Sequence, residues 1–177
     1  MKAAVVAVEN VDRAIVAGTH YTAATFQAAL PAIPCFDGVG HLPDGTTVGF
    51  GGLQPPHGAL AERVAVPAAH TVPIPEGIDP PTAAALSSAI SAMCVRTAGG
   101  LTEGETVLVQ GATGVAGRLA VQVARLLGAG RIVATGRDDA ALKEVTALGA
   151  DTVINTSVDD EDLIEAYRAN GGYDVIV

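Results

Sequence analysis

Cysteine is scarce, and the two that occur, Cys35 and Cys94, stand far apart and outside any C-x-x-C pair. That excludes a disulfide framework and a cysteine-built zinc knuckle, and a reducing compartment fits best. Basic residues are few as well: Lys and Arg total 10 against 19 Asp and Glu, a formal net charge of -9. A surface of that sign repels polyphosphate, so neither nucleic acid nor an anionic membrane is expected as a partner, although a local basic pocket is compatible with it. Long uncharged apolar runs are also missing, and none is long enough to span a bilayer. The N-terminal run from Met1 to Val8 is interrupted by Glu9 and Asp12 before it reaches the length of a signal sequence. A soluble, cytoplasmic protein is expected.

What the chain does have is apolar content, 49% of 177 residues, enough for one large domain or two small ones. Residues 2–8 read as a buried strand. From Ala28 to Gly58, five prolines alternate with seven glycines, which excludes helices and favours short strands joined by tight turns. Pro43-Asp44-Gly45 is such a turn, because Pro presets φ and Gly accepts a positive one. Thr46–Val48, Ala59–Val66 and Thr71–Ile74 read as further strands, so this portion is an irregular β domain. Asp79-Pro80-Pro81 then caps a helix from Thr82 to Thr97, broken near Ser87-Ser88 and stopped by Gly99-Gly100. Its apolar character nearly all round suggests burial between two lobes, which places the boundary between residues 1–98 and 99–177.

The second portion is organised around Glu105 to Gly117, ETVLVQGATGVAG. An apolar strand runs into a glycine turn and then a helix, with Gly111, Gly114 and Gly117 spaced so that backbone N–H groups can point at an anion at the helix start. The expected anion is a dinucleotide pyrophosphate. A tight turn with no ligand gives the same local pattern, and Ala112 occupies the first glycine slot of the G-x-G-x-x-G fingerprint. Downstream, a strand over Arg131–Gly136 follows about 20 residues after the turn. A helix over Asp138–Leu148, a strand over Asp151–Asn155, a helix opened by a Ser157/Asp160 capping box and a strand from Tyr173 complete the pattern. Such alternation implies an α/β fold with a parallel, Rossmann-type sheet in the order 3-2-1-4. The acidic run from Asp159 to Asp162 reads as a solvated helix start.

These segments resemble the medium-chain dehydrogenase/reductase superfamily. VLVQGATGVAGRLAVQVARLLGA, ALGADTVINTS and GGYDVIV are similar to its cofactor domain, and PCFDGVG, LPDGTTVGFGG and GALAERVAVP to its GroES-like domain. Within it the sequence resembles the zinc-independent quinone oxidoreductase branch, whose members use NADPH to reduce quinones or activated alkenes. Relatives continue at both ends beyond the matched segments, so the chain reads as apparently truncated. The resemblance implies a small-molecule substrate, and the fourth strand, left as a hydrophobic edge, points to self-association as a homodimer. It implies no zinc: Cys35-Phe36-Asp37 stands where zinc alcohol dehydrogenases carry Gly-His-Glu, and no four-cysteine loop exists. The implied cofactor contacts are Gly111, Ala112, Thr113, Gly114, Val115, Ala116 and Gly117 on the pyrophosphate, with Gly136, Arg137 and Thr156 at the ribose. Gly136 takes the place of the carboxylate of an NAD site, and Arg137 beside it favours the 2′-phosphate of NADPH, unless it merely pairs with Asp138 or Asp139. No catalytic residue is assigned, because the D-x-Y-x-R-x-G pattern of relatives has become Asp12 to Gly18 with Ala14 and Val16 in the tyrosine and arginine places. Three readings follow: an NADPH-dependent quinone or enone reductase, a nucleotide-binding protein with an incomplete site, and, disfavoured by Phe36, a zinc-type alcohol dehydrogenase.

Overall fold

The computed structural model describes the backbone of residues 1–177 and every side chain except those of Ile90 and Ser91. Packing divides the chain into two compact units, Met1–Ser87 and Ser88–Val177.

In the first unit β1 (Lys2–Val5) is followed by α1 (Asn10–Val16), α2 (Ala23–Ala28), β2 (Gly38–His41), β3 (Thr47–Phe50), β4 (Thr71–Pro73) and α3 (Pro80–Ala85). The strands form an antiparallel sheet in the order β1-β2-β3-β4. Between β2 and β3 the Pro43-Asp44-Gly45 turn closes as its chemistry demands. Gly45 adopts φ +89°, and the Asp44 carboxylate accepts the Thr46 N–H at 2.9 Å. A small core of Cys35, Phe50, Leu53, Ala59 and Val64 fills this unit.

Two expectations need correction here. The N-terminal strand covers only Lys2–Val5 and is half exposed, because it pairs with β2 along one side and its register breaks between Ala3 and Val5. Residues 59–66 form no strand: the chain bends through 59–62, where the Ala61 N–H donates back to the Ala59 carbonyl at 2.8 Å, and only an isolated bridge joins Lys2 and Arg63. The segment changes partner midway. Ala59 and Leu60 donate to the carbonyls of Cys35 and Pro34, whereas Glu62 accepts from Ala3 and Val64 donates to Met1.

The expected helix over Thr82–Thr97 is divided. Asp79 caps α3 by accepting the Thr82 N–H at 3.1 Å, a 3-10 turn follows at Leu86–Ser88, and α4 (Ala89–Thr97) belongs to the second unit. Thereafter come β5 (Thr106–Val109), α5 (Val115–Leu126), β6 (Arg131–Gly136), α6 (Asp139–Ala147), β7 (Thr152–Asn155), α7 (Asp160–Ala169) and β8 (Val175–Ile176). The sheet is parallel in the order β7-β6-β5-β8, the 3-2-1-4 arrangement expected. Val107, Val109, Ile132 and Ala134 face one layer, with Ala92, Val95, Val121, Ala124 and Val145 from α4, α5 and α6. Leu108, Val133 and Ile154 face the other, against Leu163, Ala166 and Tyr167 of α7. Both faces are covered, as a parallel sheet requires. Because α7 lies on the face opposite α5 and α6, β8 returns beside β5, and the strand order reverses there.

At the strand-entry edge Arg125 donates to the carbonyls of Ala129 and Gly149 and pairs with Asp151 at 2.6 Å. The same carboxylate accepts the Ile132 N–H at 2.7 Å. The α7 cap also differs from expectation: Asp159, not Ser157, accepts the Asp162 N–H. Among the described residues no helix is long and apolar enough to cross a membrane.

Asp37, in the turn before β2, has its pKa pushed up to about 6 by burial and then by the charges of Glu9 and Asp12. Folding therefore favours its neutral form. Below about pH 4 the carboxyl is protonated in both states and costs nothing, and the penalty grows as pH rises until it is complete above about 6. Asp37→Asn is expected to raise Tm relative to the parent more at about pH 7.5 than at about pH 4. Equal differences at both pH values, measured by thermal melts, would contradict this origin.

Candidate functional site

The site is built where β5 ends. Gly111 turns the chain with φ +63°, a conformation that suits glycine, and its N–H donates to the Thr135 hydroxyl at 3.3 Å. The next N–H, that of Ala112, donates to the Thr135 carbonyl at 2.7 Å. Thr135 thus holds the turn to the end of β6 with both backbone and side chain. With Asp12 it is one of two buried polar side chains among the described residues. A polar residue directly after the aliphatic run Ile132 to Ala134 is the signal for it, and sequence spacing alone passes over it.

Helix α5 begins directly against this turn. A Cβ at position 117 would lie 2.5 Å from the Gly111 carbonyl oxygen and 2.6 Å from Ala112 Cα, so only glycine permits the approach. The N-cap, Gly114, offers no side-chain acceptor. The first α5 amide to find an acceptor is that of Arg118, on Gly114 O at 2.9 Å, and the N–H groups of Val115, Ala116 and Gly117 have none among the described residues. The contrast with α6 and α7 is chemical, since those helices are capped by Asp138 and Asp159. An aspartate at the start of α5 would repel an anion. Glycine leaves the amides and the positive end of the helix dipole available to one.

Arg118 is committed to structure: Nε donates to the Thr113 carbonyl at 3.1 Å, and Nη2 pairs with Glu144 at 2.6 Å. Arg137 is not. It is exposed just past β6, and no hydrogen bond or ion pair to its guanidinium exists among the described residues. Asp138 is occupied with the Ala141 N–H, and Asp139 accepts from the Asn155 amide at 2.6 Å. The alternative that Arg137 merely pairs with these aspartates therefore finds no contact here. Its backbone is held by Ser157, whose hydroxyl donates to the Arg137 carbonyl at 3.0 Å, while Thr156 donates its N–H and hydroxyl to Gly136 O at 2.8 and 3.2 Å.

The structure thus brings Gly111 through Gly117, Gly136, Arg137 and Thr156 together at the C-terminal ends of β5, β6 and β7. Thr156 braces Gly136 with its hydroxyl. A hollow of about 100 Å³ lies beside them, lined by Val109, Gln110, Ala116, Gly117, Ala120 and Val177, where the strand order reverses. In doubly wound sheets this crevice is where ligands bind.

Asp12 and its neighbours lie in the first unit. Residues 12–16 form most of α1, and the buried Asp12 carboxylate accepts the Glu9 N–H at 2.8 Å. Ala14 is half-buried and Val16 exposed. Cys35 is buried at φ +68°, and burial with the charges of Asp12 and Asp37 pushes its thiol up to about 11. It is protonated at neutral pH and unsuited to nucleophilic attack. Among the described residues no three His, Cys, Asp or Glu side chains are grouped to hold a metal ion.

Comparison with known proteins gives a consistent result. The family described as zinc-binding dehydrogenase matches residues 116–177, a segment containing neither histidine nor cysteine. The protein named probable NADPH-dependent quinone reductase tdiC, from Emericella nidulans, is 32% identical over 84% of this chain and 50% of its own length. An L-threonine 3-dehydrogenase of Rhizobium johnstonii is 34% identical over 80% of this chain and 40% of its own. Among solved structures, the quinone oxidoreductase from Thermus thermophilus, described also in complex with NADPH, superimposes with TM-score 0.76 at 32% identity. That match covers 99% of this chain and 55% of that one. The chain spans about half the length of the curated relatives it matches.

Thr135→Val should remove the acceptor of the Gly111 N–H, a partly buried hydrogen bond, and cost about 0.5–1.5 kcal/mol of stability in denaturant unfolding. Thr135→Ser should retain most of that stability. Equal stability of the Val and Ser variants would show that the hydroxyl does not hold the turn.

Proposed function

Because the chain is a quinone-oxidoreductase-like member of the medium-chain dehydrogenase/reductase superfamily, we propose that it binds NADPH and serves hydride transfer to a quinone or an activated alkene or carbonyl. The observation that carries this reading is the pairing of an uncapped α5 with a free guanidinium at the end of β6. The open amides of Val115, Ala116 and Gly117 suit the pyrophosphate. Arg137, beside a Gly136 that carries no carboxylate, suits the 2′-phosphate. When bound, the nicotinamide supplies the hydride, and the chain's part is to fix the dinucleotide across the crevice lined by Val109, Gln110 and Val177.

Residues 99–177 are proposed as the cofactor portion and 1–98 as the GroES-like substrate portion. Self-association as a homodimer is part of the same proposal. Zinc has no part in this reading. Phe36 stands where a zinc site of the superfamily has histidine, and metal analysis of the purified chain is expected to find far less than one zinc per chain.

A second reading, nucleotide binding without turnover, is favoured by the apolar Ala14 and Val16 on α1, where relatives carry tyrosine and arginine. Oxidation of NADPH in the presence of a simple quinone supports the first reading. NADPH binding with no oxidation supports the second. In either case Arg137→Glu should weaken NADPH binding roughly 10- to 100-fold in a fluorescence titration, the value of one or two charge-assisted bonds, with NADH little affected. An unchanged NADPH affinity would remove Arg137 from the site.

A further inference from the structure

Where this fold selects NAD, an Asp or Glu at the end of the second strand takes the ribose 2′-hydroxyl. That position here is Gly136, and its surroundings restrict which residue can stand there. A Cβ at 136 would fall 2.5 Å from Thr113 Cγ2, 3.3 Å from Thr113 Oγ1 and 3.1 Å from Leu142 Cδ2. Real Cβ atoms do not approach heavy atoms as closely as the first of these distances, so a side chain at 136 requires a neighbour to move. Leu142, on the buried face of α6, is 2% exposed. Thr113 is β-branched and stiff at χ1, and its carbonyl is fixed by Arg118 Nε. Gly136 is itself buried and holds Thr156 through its carbonyl, so the strand end has little freedom to withdraw.

We propose that Thr113 is a positioning residue for cofactor specificity. Its methyl group occupies the space a side chain at 136 would need, and so keeps a carboxylate away from the 2′ position. Arg137 supplies attraction for the phosphate, and Thr113 keeps the approach to it clear. The inference rests on the NADPH reading above. It adds that selectivity is shared between two segments 23 residues apart in sequence, and that a carboxylate cannot be introduced at the end of β6 unless the glycine turn changes with it.

The test is a cycle on the full chain. Gly136→Ala introduces only the Cβ, Thr113→Ser removes only the methyl, and the double variant combines them. Tm is read for each, with NADPH and NADH affinities by fluorescence titration. Gly136→Ala is expected to lower Tm by about 2–4 °C or more and to weaken both nucleotides. Thr113→Ser in the same chain should recover most of both losses. Thr113→Ser/Gly136→Asp should then shift the NADPH-to-NADH preference by about tenfold or more toward NADH relative to Thr113→Ser, a change a purely structural role would not produce. Additive Tm effects with normal NADPH binding by the unaltered chain would overturn the proposal alone, as would an unshifted preference in the double variant carrying Asp. Failure of the unaltered chain to bind either nucleotide would overturn the cofactor reading and this proposal with it.

Discussion

The second unit depends on how closely α5 can approach the end of β5. At Gly117 the helix backbone rests on the Gly111 carbonyl and the Ala112 Cα, and any side chain would force the two apart. That contact decides where the first amides of the helix lie and which way they point. The neighbouring features take their place from it: Thr135 pins the turn to β6, Arg118 ties the turn to α6 through Glu144, and Gly136 brings β6 within contact of Thr113. Small residues and backbone groups meet at one corner, leaving little bulk between the helix dipole and whatever lies above it.

Charge is distributed in the same sense. The chain is strongly acidic overall, yet at this corner its aspartates are turned to other uses: Asp138 and Asp159 cap helices, and Asp139 takes the Asn155 amide. The helix that needs an open end receives a glycine. Net charge therefore describes the surface as a whole and is a poor guide to a local site, because a single unpaired guanidinium on a short loop can dominate the potential within a few ångströms.

Much of the second unit was legible because its signals are local. Short aliphatic runs bounded by glycines, at the right spacing, give strand and helix, and right-handed crossovers leave few ways to order them. The first unit was less so. Alternation in Ala59 to Val66 looks like a strand, but that segment bonds first to residues 34–35 and then to residues 1–3, which no local pattern reveals. Ser157 has the spacing of a cap, whereas its hydroxyl goes to the Arg137 carbonyl, 20 residues earlier in the chain. The glycine motif named the segments that could face a ligand. That Thr135 holds them, and that Thr113 fills the space over Gly136, are facts of tertiary contact between elements more than 20 residues apart.

Arg125 sits at the other end of the sheet, gathering the carbonyls of Ala129 and Gly149 and the carboxylate of Asp151 just where β6 and β7 begin. The parallel unit is thus fastened along one rim and open along the other. Changes at distant, unshared contacts combine nearly additively. A lineage can therefore retune heat tolerance at the fastened rim without disturbing the contacts around Thr113 and Gly136, whereas a change at that open corner carries durability and ligand preference together.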